Sequence, residues 1–183
     1  MSGDDRNRVV LVTGGARSGK SRYAEELALK YGGKRIYVAT AEPFDEEMQQ
    51  RIALHQKSRE GRFSRTVEEP INLDHALQEI GRQASVVLVD CVTVWLGNLI
   101  HHRGMLDRYD EVDRLLSYLE RPLAPTIIVT NEVGQGIVPG DPMSRFFRDQ
   151  AGWLNQALAS AAHTVVWMVS GIPVSIKDAG RAE

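Results

Sequence analysis

The chain has one cysteine, Cys91, in 183 residues, so no internal disulfide is available to it. With apolar neighbours on both sides, that cysteine reads as a buried thiol in a reducing compartment. Aromatic residues make up 7% and no block of like charge occurs. The formal net charge is −2, which argues against a surface built for nucleic acid or for anionic lipid. The longest apolar runs, VVLVDCVTVWL and TVVWMVSGI, fall well short of the ~20 residues a bilayer span needs. The opening MSGDDRNR has neither the basic n-region nor the apolar h-region of a secretion signal. The expectation is a cytoplasmic protein with no membrane insertion. Its first eight residues, 1–8, read as a flexible segment before a single domain over 9–183.

The composition is otherwise that of a globular domain, with 43% hydrophobic and 25% charged residues. Five β-branched runs recur: Val9–Thr13, Arg35–Thr40, Val86–Asp90, Thr126–Thr130 and Thr164–Ser170. They are apolar nearly throughout, as strands buried on both faces of a parallel sheet are. Helical patterns lie between them: KSRYAEELALKYGG, closed by two glycines; FDEEMQQRIALHQKSRE over 44–60; NLDHALQEIGRQ, capped by Asn72 or Asp74; VTVWLGNLI; EVDRLLSYLE; and RFFRDQAGWLNQALASAAH. Alternating strands and helices predict an α/β fold, a mostly parallel central sheet with helices on both faces. In such sheets ligands collect at the carboxyl ends of the strands.

The first of those ends carries Gly14-x4-Gly19-Lys20-Ser21, the pattern G-x4-G-K-[ST]. Glycines let the backbone curl so that the N–H groups of Gly15, Ala16, Arg17 and Ser18 turn toward phosphate oxygens. Lys20 adds a point charge for the outer phosphates, Ser21 a hydroxyl for Mg²⁺, and the following helix a positive end. By composition alone, a chance match in such a chain is on the order of 1 in 100, and here the required strand and helix flank it. The expectation is therefore a P-loop NTPase that binds a nucleoside triphosphate. Asp90, at the end of the third run, is the candidate second metal partner; an acid there also suits capping of the next helix.

In RIALHQKSR, Arg51, His55 and Arg59 fall at i, i+4 and i+8, on one face if the stretch is helical. A neutral imidazole is a competent nucleophile at phosphorus, and guanidinium groups beside it would hold phosphates. The same spacing suits a plain solvated face with Met48 and Ile52 packed below. Of the other histidines, His75 lies in a helix, His101 and His102 in a polar turn, and His163 at a helix end where a cation suits the dipole.

Taken together, LVTGGARSGKS, YVAT, RIALHQKSR, TVEEP, TNEVGQGIVP and RFFRDQAGWLNQALA resemble one family, the bifunctional adenosylcobinamide kinase/adenosylcobinamide-phosphate guanylyltransferases of cobalamin biosynthesis. The similarity runs from about Val9 to Lys177, and TNEVGQGIVP is its most specific piece. The resemblance implies a RecA-like fold, a homotrimer, Mg²⁺ as the metal, and two reactions. In the first, ATP or GTP phosphorylates adenosylcobinamide; in the second, GMP passes from GTP to adenosylcobinamide phosphate through a GMP–histidine intermediate. It places the catalytic histidine at His55 beside Lys20. It places nucleotide contacts at Gly14–Ser21, at Ala39, Thr40 and Ala41, at Gln56, Lys57, Ser58 and Arg59, and at Glu68 and Asp90, with Ser21 and Asp90 toward the metal. The chain departs from the family in RFSRT, where Phe63 and one extra residue replace a tryptophan, so the spacing from His55 to Glu68 differs.

Overall fold

The computed structural model describes residues 8–43, 46 and 61–178. Seven strands form one sheet: β1 (Val9–Gly14), β2 (Arg35–Ala39), β3 (Arg65–Glu68), β4 (Val86–Asp90), β5 (Thr126–Val129), β6 (Thr164–Val169) and β7 (Ile172–Asp178). Their spatial order is β3-β2-β4-β5-β1-β6-β7, parallel throughout except that β7 runs back against β6. Among the described residues these helices accompany them: α1 (Lys20–Leu29), α2 (Leu73–Gly81), α3 (Val92–Arg103), α4 (Asp110–Glu120) and α5 (Pro142–Ala161). The helix expected over 44–60 falls outside the described residues apart from Glu46.

Neighbouring residues along a strand point to opposite faces, and the core divides accordingly. Val9, Leu11, Ile36, Val38, Val87 and Val89 pack with α2, α3, α4 and α5, whose Leu77, Leu96, Leu119 and Leu158 are almost wholly buried. Val10, Val12, Tyr37, Val86, Leu88 and Val129 face the other way, onto Ala24 and Ala28 of α1. The inner strands are therefore apolar through their middles on both faces, with polar residues such as Arg35, Asp90 and Thr164 only near their ends, the signature that made them legible.

Two strands were not expected. The hairpin β6–β7 turns at Ser170 and Gly171, both at positive φ (51° and 84°), as two-residue type I′ turns require. Pro173 argues against an inner strand, but β7 is an edge strand, exposed along its length, where a missing N–H is tolerated. The short β3, RTVE, is the other edge and mostly exposed, so it lacks the apolar run.

Several local expectations need correction. Helix α1 stops at Leu29, with Lys30 as its cap, before the two glycines; Gly33 takes a left-handed turn (φ 83°) instead. Asn72 precedes α2 without bonding it through its side chain, and the Glu69 carboxylate accepts from the N–H groups of Ile71 and Asn72. His101 and His102 belong to the last turn of α3 rather than to a loop. His163, just beyond the end of α5, accepts a hydrogen bond at Nδ1 from the Val9 N–H (3.1 Å), so it ties that end to β1. Helix α5 begins within PGDPMSR, where Asp141 caps it by accepting from the Ser144 N–H (2.8 Å).

Candidate functional site

The loop after β1 wraps as its glycines predict. Gly14 has φ of 149°, and a Cβ there would stand 2.5 Å from the Met168 carbonyl oxygen, so only glycine fits between the loop and β6. Arg17 and Gly19 also take positive φ (55° and 92°). From the far side, the Gly171 N–H donates to the Ser18 carbonyl (3.0 Å), which ties the loop to the β6–β7 turn. Gly19 precedes α1 with no side-chain cap, and no acid sits in the first turn, so that positive helix end is left for an anion.

Lys20 is 6% exposed and folds back to donate from Nζ to the Gly15 carbonyl (2.6 Å). Burial lowers its pKa, while the charges of Cys91 and Asp90 would raise it. The thiol of Cys91, in turn, is pushed up to about 12 by burial first and by Asp90 second. It is therefore uncharged near neutrality, and Asp90 is the anion that Lys20 feels. Ammonium, loop and carboxylate thus occupy one corner of the sheet.

Register brings the remaining strand ends to the same level. Ala39 on β2 stands opposite both Glu68 on β3 and Asp90 on β4, and Asp90 stands opposite Val129 on β5, itself opposite Val12 on β1. Glu68 is exposed at the sheet edge, two strands from Asp90. The cap reading of Asp90 is set aside: Cys91 precedes α3 with no side-chain cap, and the Asp90 carboxylate accepts from the Tyr37 hydroxyl (2.8 Å). Ser21 lies in the first turn of α1, half-buried. The positions expected from His55 to Arg59 lie outside the described residues.

Beneath these groups runs a buried polar network that the sequence reading did not foresee. Thr40, fully buried, donates to the Cys91 carbonyl (2.8 Å) and accepts from the Cys91 N–H (2.9 Å). Asn98, from inside α3, donates to the carbonyls of Thr40 (2.7 Å) and Pro70 (3.1 Å). Thr93 bonds the Thr130 hydroxyl (3.0 Å) and accepts from the Asn131 N–H (2.6 Å), while Thr130 donates to Asn155 (2.6 Å). The first residues of TNEVGQGIVP therefore knot β5 to α3 and α5. A parallel sheet leaves backbone groups unpaired where its strands end, and these side chains pair with them.

The span matched by known proteins takes in nearly the whole chain, these residues included. Residues 10–176 match the family model for cobinamide kinase / cobinamide phosphate guanyltransferase. The bifunctional adenosylcobalamin biosynthesis protein CobP of Pseudomonas aeruginosa is 42% identical over 91% of this chain and 96% of its own length. The corresponding CobU proteins of Escherichia coli and Salmonella typhimurium are 42% and 40% identical over 92% of this chain, each matched over 99% of its length. In structure, the chain is similar to the flagellar accessory protein FlaH of Methanocaldococcus jannaschii (TM-score 0.54, 14% identity, 95% of this chain and 80% of that one). That likeness shows the RecA-like P-loop fold alone.

Two outcomes are expected here. Replacing Lys20 with alanine should lower turnover by a factor on the order of 10² to 10³, the cost of removing one preorganised charge-stabilising group, with the melting temperature retained; near-normal turnover would show that Lys20 does not hold the phosphates. Iodoacetamide at pH 8 should leave Cys91 unmodified in the folded protein and alkylate it after guanidinium unfolding, because attack needs the thiolate; rapid labelling of the native chain, read by intact mass, would contradict its burial.

Proposed function

The chain belongs to the cobinamide kinase / cobinamide phosphate guanyltransferase family, and we propose a division of labour by which its one nucleotide site serves both reactions. The activities are those of adenosylcobinamide kinase and adenosylcobinamide-phosphate guanylyltransferase in cobalamin biosynthesis. The observation that carries the assignment to this site is the Gly14–Ser21 loop, with Lys20 inside it and Asp90 facing it, within the matched span.

In the kinase step the hydroxyl oxygen of adenosylcobinamide attacks the γ-phosphorus of ATP or GTP. A new P–O bond forms, the bond from the γ-phosphorus to the β–γ bridging oxygen breaks, the hydroxyl proton is released to solvent, and the nucleoside diphosphate leaves with the charge. Lys20 and the loop amides hold the oxygens on which that charge develops. Such a transition state is loose, so it makes little demand for a strong base. In the second step a neutral His55 nitrogen attacks the α-phosphorus of GTP and pyrophosphate departs, leaving GMP on the ring as a phosphoramidate. An oxygen of adenosylcobinamide phosphate then attacks the same phosphorus, forming adenosylcobinamide-GDP and freeing the imidazole. Support for His55 comes from the resemblance of RIALHQKSR to the family's histidine segment; the chemistry of imidazole and the flanking Arg51 and Arg59 are compatible with the role.

Ser21 and Asp90 would hold the Mg²⁺ ion, and both offer the hard oxygen donors it prefers. Among the described residues, one Asp90 oxygen, Oδ1, receives no hydrogen bond, as a carboxylate kept for a cation would have it. Bound with the nucleotide, the ion would neutralise charge on the phosphates. Ala39, Ala41, the segment Gln56–Arg59 and Glu68 would complete the nucleotide contacts; Glu68 suits a ribose hydroxyl or a guanine N–H, whereas Thr40, expected among the contacts, is fully buried with its hydroxyl on the Cys91 backbone and supports the site from below.

The protein works in the cytoplasm as a homotrimer on this reading. Among the described residues no helix is long and apolar enough to cross a membrane. Ile172, Val174 and Ile176 on the edge strand, with Trp153 on α5, leave apolar surface exposed that a partner subunit would cover.

With α-labelled GTP, the wild-type chain should acquire an acid-labile radiolabel that maps to the peptide holding His55, and His55→Ala should acquire none. Undiminished labelling of that variant would remove His55 from the role. Sedimentation should give roughly three times the chain mass of 20.4 kDa; a species of monomer mass at working concentration would exclude the trimer.

A further inference from the structure

Strand β2 holds Asp90 twice. Its end, Thr40, fixes the backbone on both sides of the acid: the Thr40 N–H donates to the Asp90 carbonyl (3.4 Å), and the Thr40 hydroxyl accepts from the Cys91 N–H (2.9 Å). Its middle, Tyr37, holds the side chain. Tyr37 pairs with Leu88 across the sheet, and Asp90 lies two residues further along β4, hence on the same face. A diagonal neighbour at that offset is too distant for short side chains but within reach of a phenol. The hydroxyl donates to Asp90 Oδ2 at 2.8 Å, the usual length of a hydroxyl hydrogen bond.

The donor is itself immobilised. Tyr37 is 3% exposed, packed in the apolar layer with Ala24, Ala28 and Leu88, and its ring stands edge-on to Phe63 with centroids 5.3 Å apart and planes at 79°. A buried hydroxyl needs a partner, but the backbone of an inner strand is already paired. Here the partner is the one acid among the described residues that lies at the end of an inner strand beside Lys20.

We infer that Tyr37 is a positioning residue for the metal-facing carboxylate: its hydroxyl occupies one oxygen of Asp90, so that the other is presented to the cation in a single orientation. This rests on the reading of Asp90 as a partner of the metal. Groups that orient a metal ligand from behind typically alter metal affinity by a factor of 10 to 100 when removed. They do so without contact to the nucleotide, so the loss should appear in the metal and not in the triphosphate.

The test uses the full-length chain with Mn²⁺ as the probe and a non-hydrolysable GTP analogue. Free Mn²⁺ is read by electron paramagnetic resonance, and analogue binding without metal is read by calorimetry. Tyr37→Phe keeps the ring and its Phe63 contact, so the fold should survive. We expect it to weaken Mn²⁺ retention about tenfold while metal-free analogue affinity changes less than twofold. Asp90→Asn should weaken retention at least as much, and the double variant should be no worse than Asp90→Asn alone, because Tyr37 acts through the carboxylate. If Asp90→Asn weakens retention and Tyr37→Phe does not, the positioning role is overturned while the metal role of Asp90 stands. If neither does, the metal reading of Asp90 falls and takes this inference with it. A Tyr37→Phe effect of full size on the Asp90→Asn background would also overturn it, since the hydroxyl would then act by another route.

Discussion

A polyanion is held tightly by backbone amides only when those amides already point inward before it arrives. Otherwise the cost of ordering them is subtracted from the grip. In this chain the loop is held from both sides. The Met168 carbonyl blocks any side chain at Gly14, and the Gly171 N–H bonds the Ser18 carbonyl. Lys20 bridges the interior by donating to Gly15, so the loop is held in shape by the side chain proposed to contact the phosphates. The hairpin β6–β7, an addition at the sheet edge, thus has a part in the site. Without its turn the loop would be supported on one side only.

The same requirement explains the polar network under the strand ends. A carboxylate and an ammonium can act in a water-poor corner only if their supports do not compete for them. Thr40, Thr93, Thr130, Asn98, Asn131 and Asn155 satisfy backbone groups and each other, so these supports take up neither Lys20 nor the Asp90 side chain. Each neutral bond contributes only about 0.5–1.5 kcal/mol net, but leaving one buried partner unsatisfied costs about 1–3 kcal/mol. The network is therefore worth more for fixing where strands end than for stability. Cys91 fits among these groups because a thiol held near 12 stays neutral and adds no charge beside Asp90.

How much of this could be read from the residues depends on whether the signal is local. The phosphate loop is a contiguous pattern whose strand and helix flank it, and that strand–loop–helix arrangement was legible. So were the five inner runs, because burial on both faces leaves an uninterrupted apolar stretch. Strands β3 and β7 were not, because an edge strand half in water carries no such stretch, and Pro173 masks the second. His163 misled because a position after a helix suggests a cation, whereas its actual partner, the Val9 N–H, lies at the other end of the chain. Tyr37 and Asn98 were invisible for the same reason: an aromatic in a strand and an amide in a helix look ordinary until the fold brings Asp90 and Thr40 to them.

A single grip serving two transfers narrows what can change between them. Lys20 and the loop amides are anchored to β6 and to the backbone itself, so the same phosphates are held in the same frame each time. In the kinase step the attacked phosphorus is the outermost and the bond broken lies within the held group. In the guanylyl step the attacked phosphorus is the innermost and the whole held group is expelled. Charge develops on gripped oxygens in both, which is why one set of donors serves both leaving groups. What has to differ is the direction of approach, and that difference belongs to the nucleophiles. On the proposed reading, a hydroxyl comes to the outer end of the nucleotide and an imidazole to the inner one. The fixed corner built by β1, β2, β4 and β6 is then indifferent to which reaction occurs, and the choice passes to the acceptor that is bound.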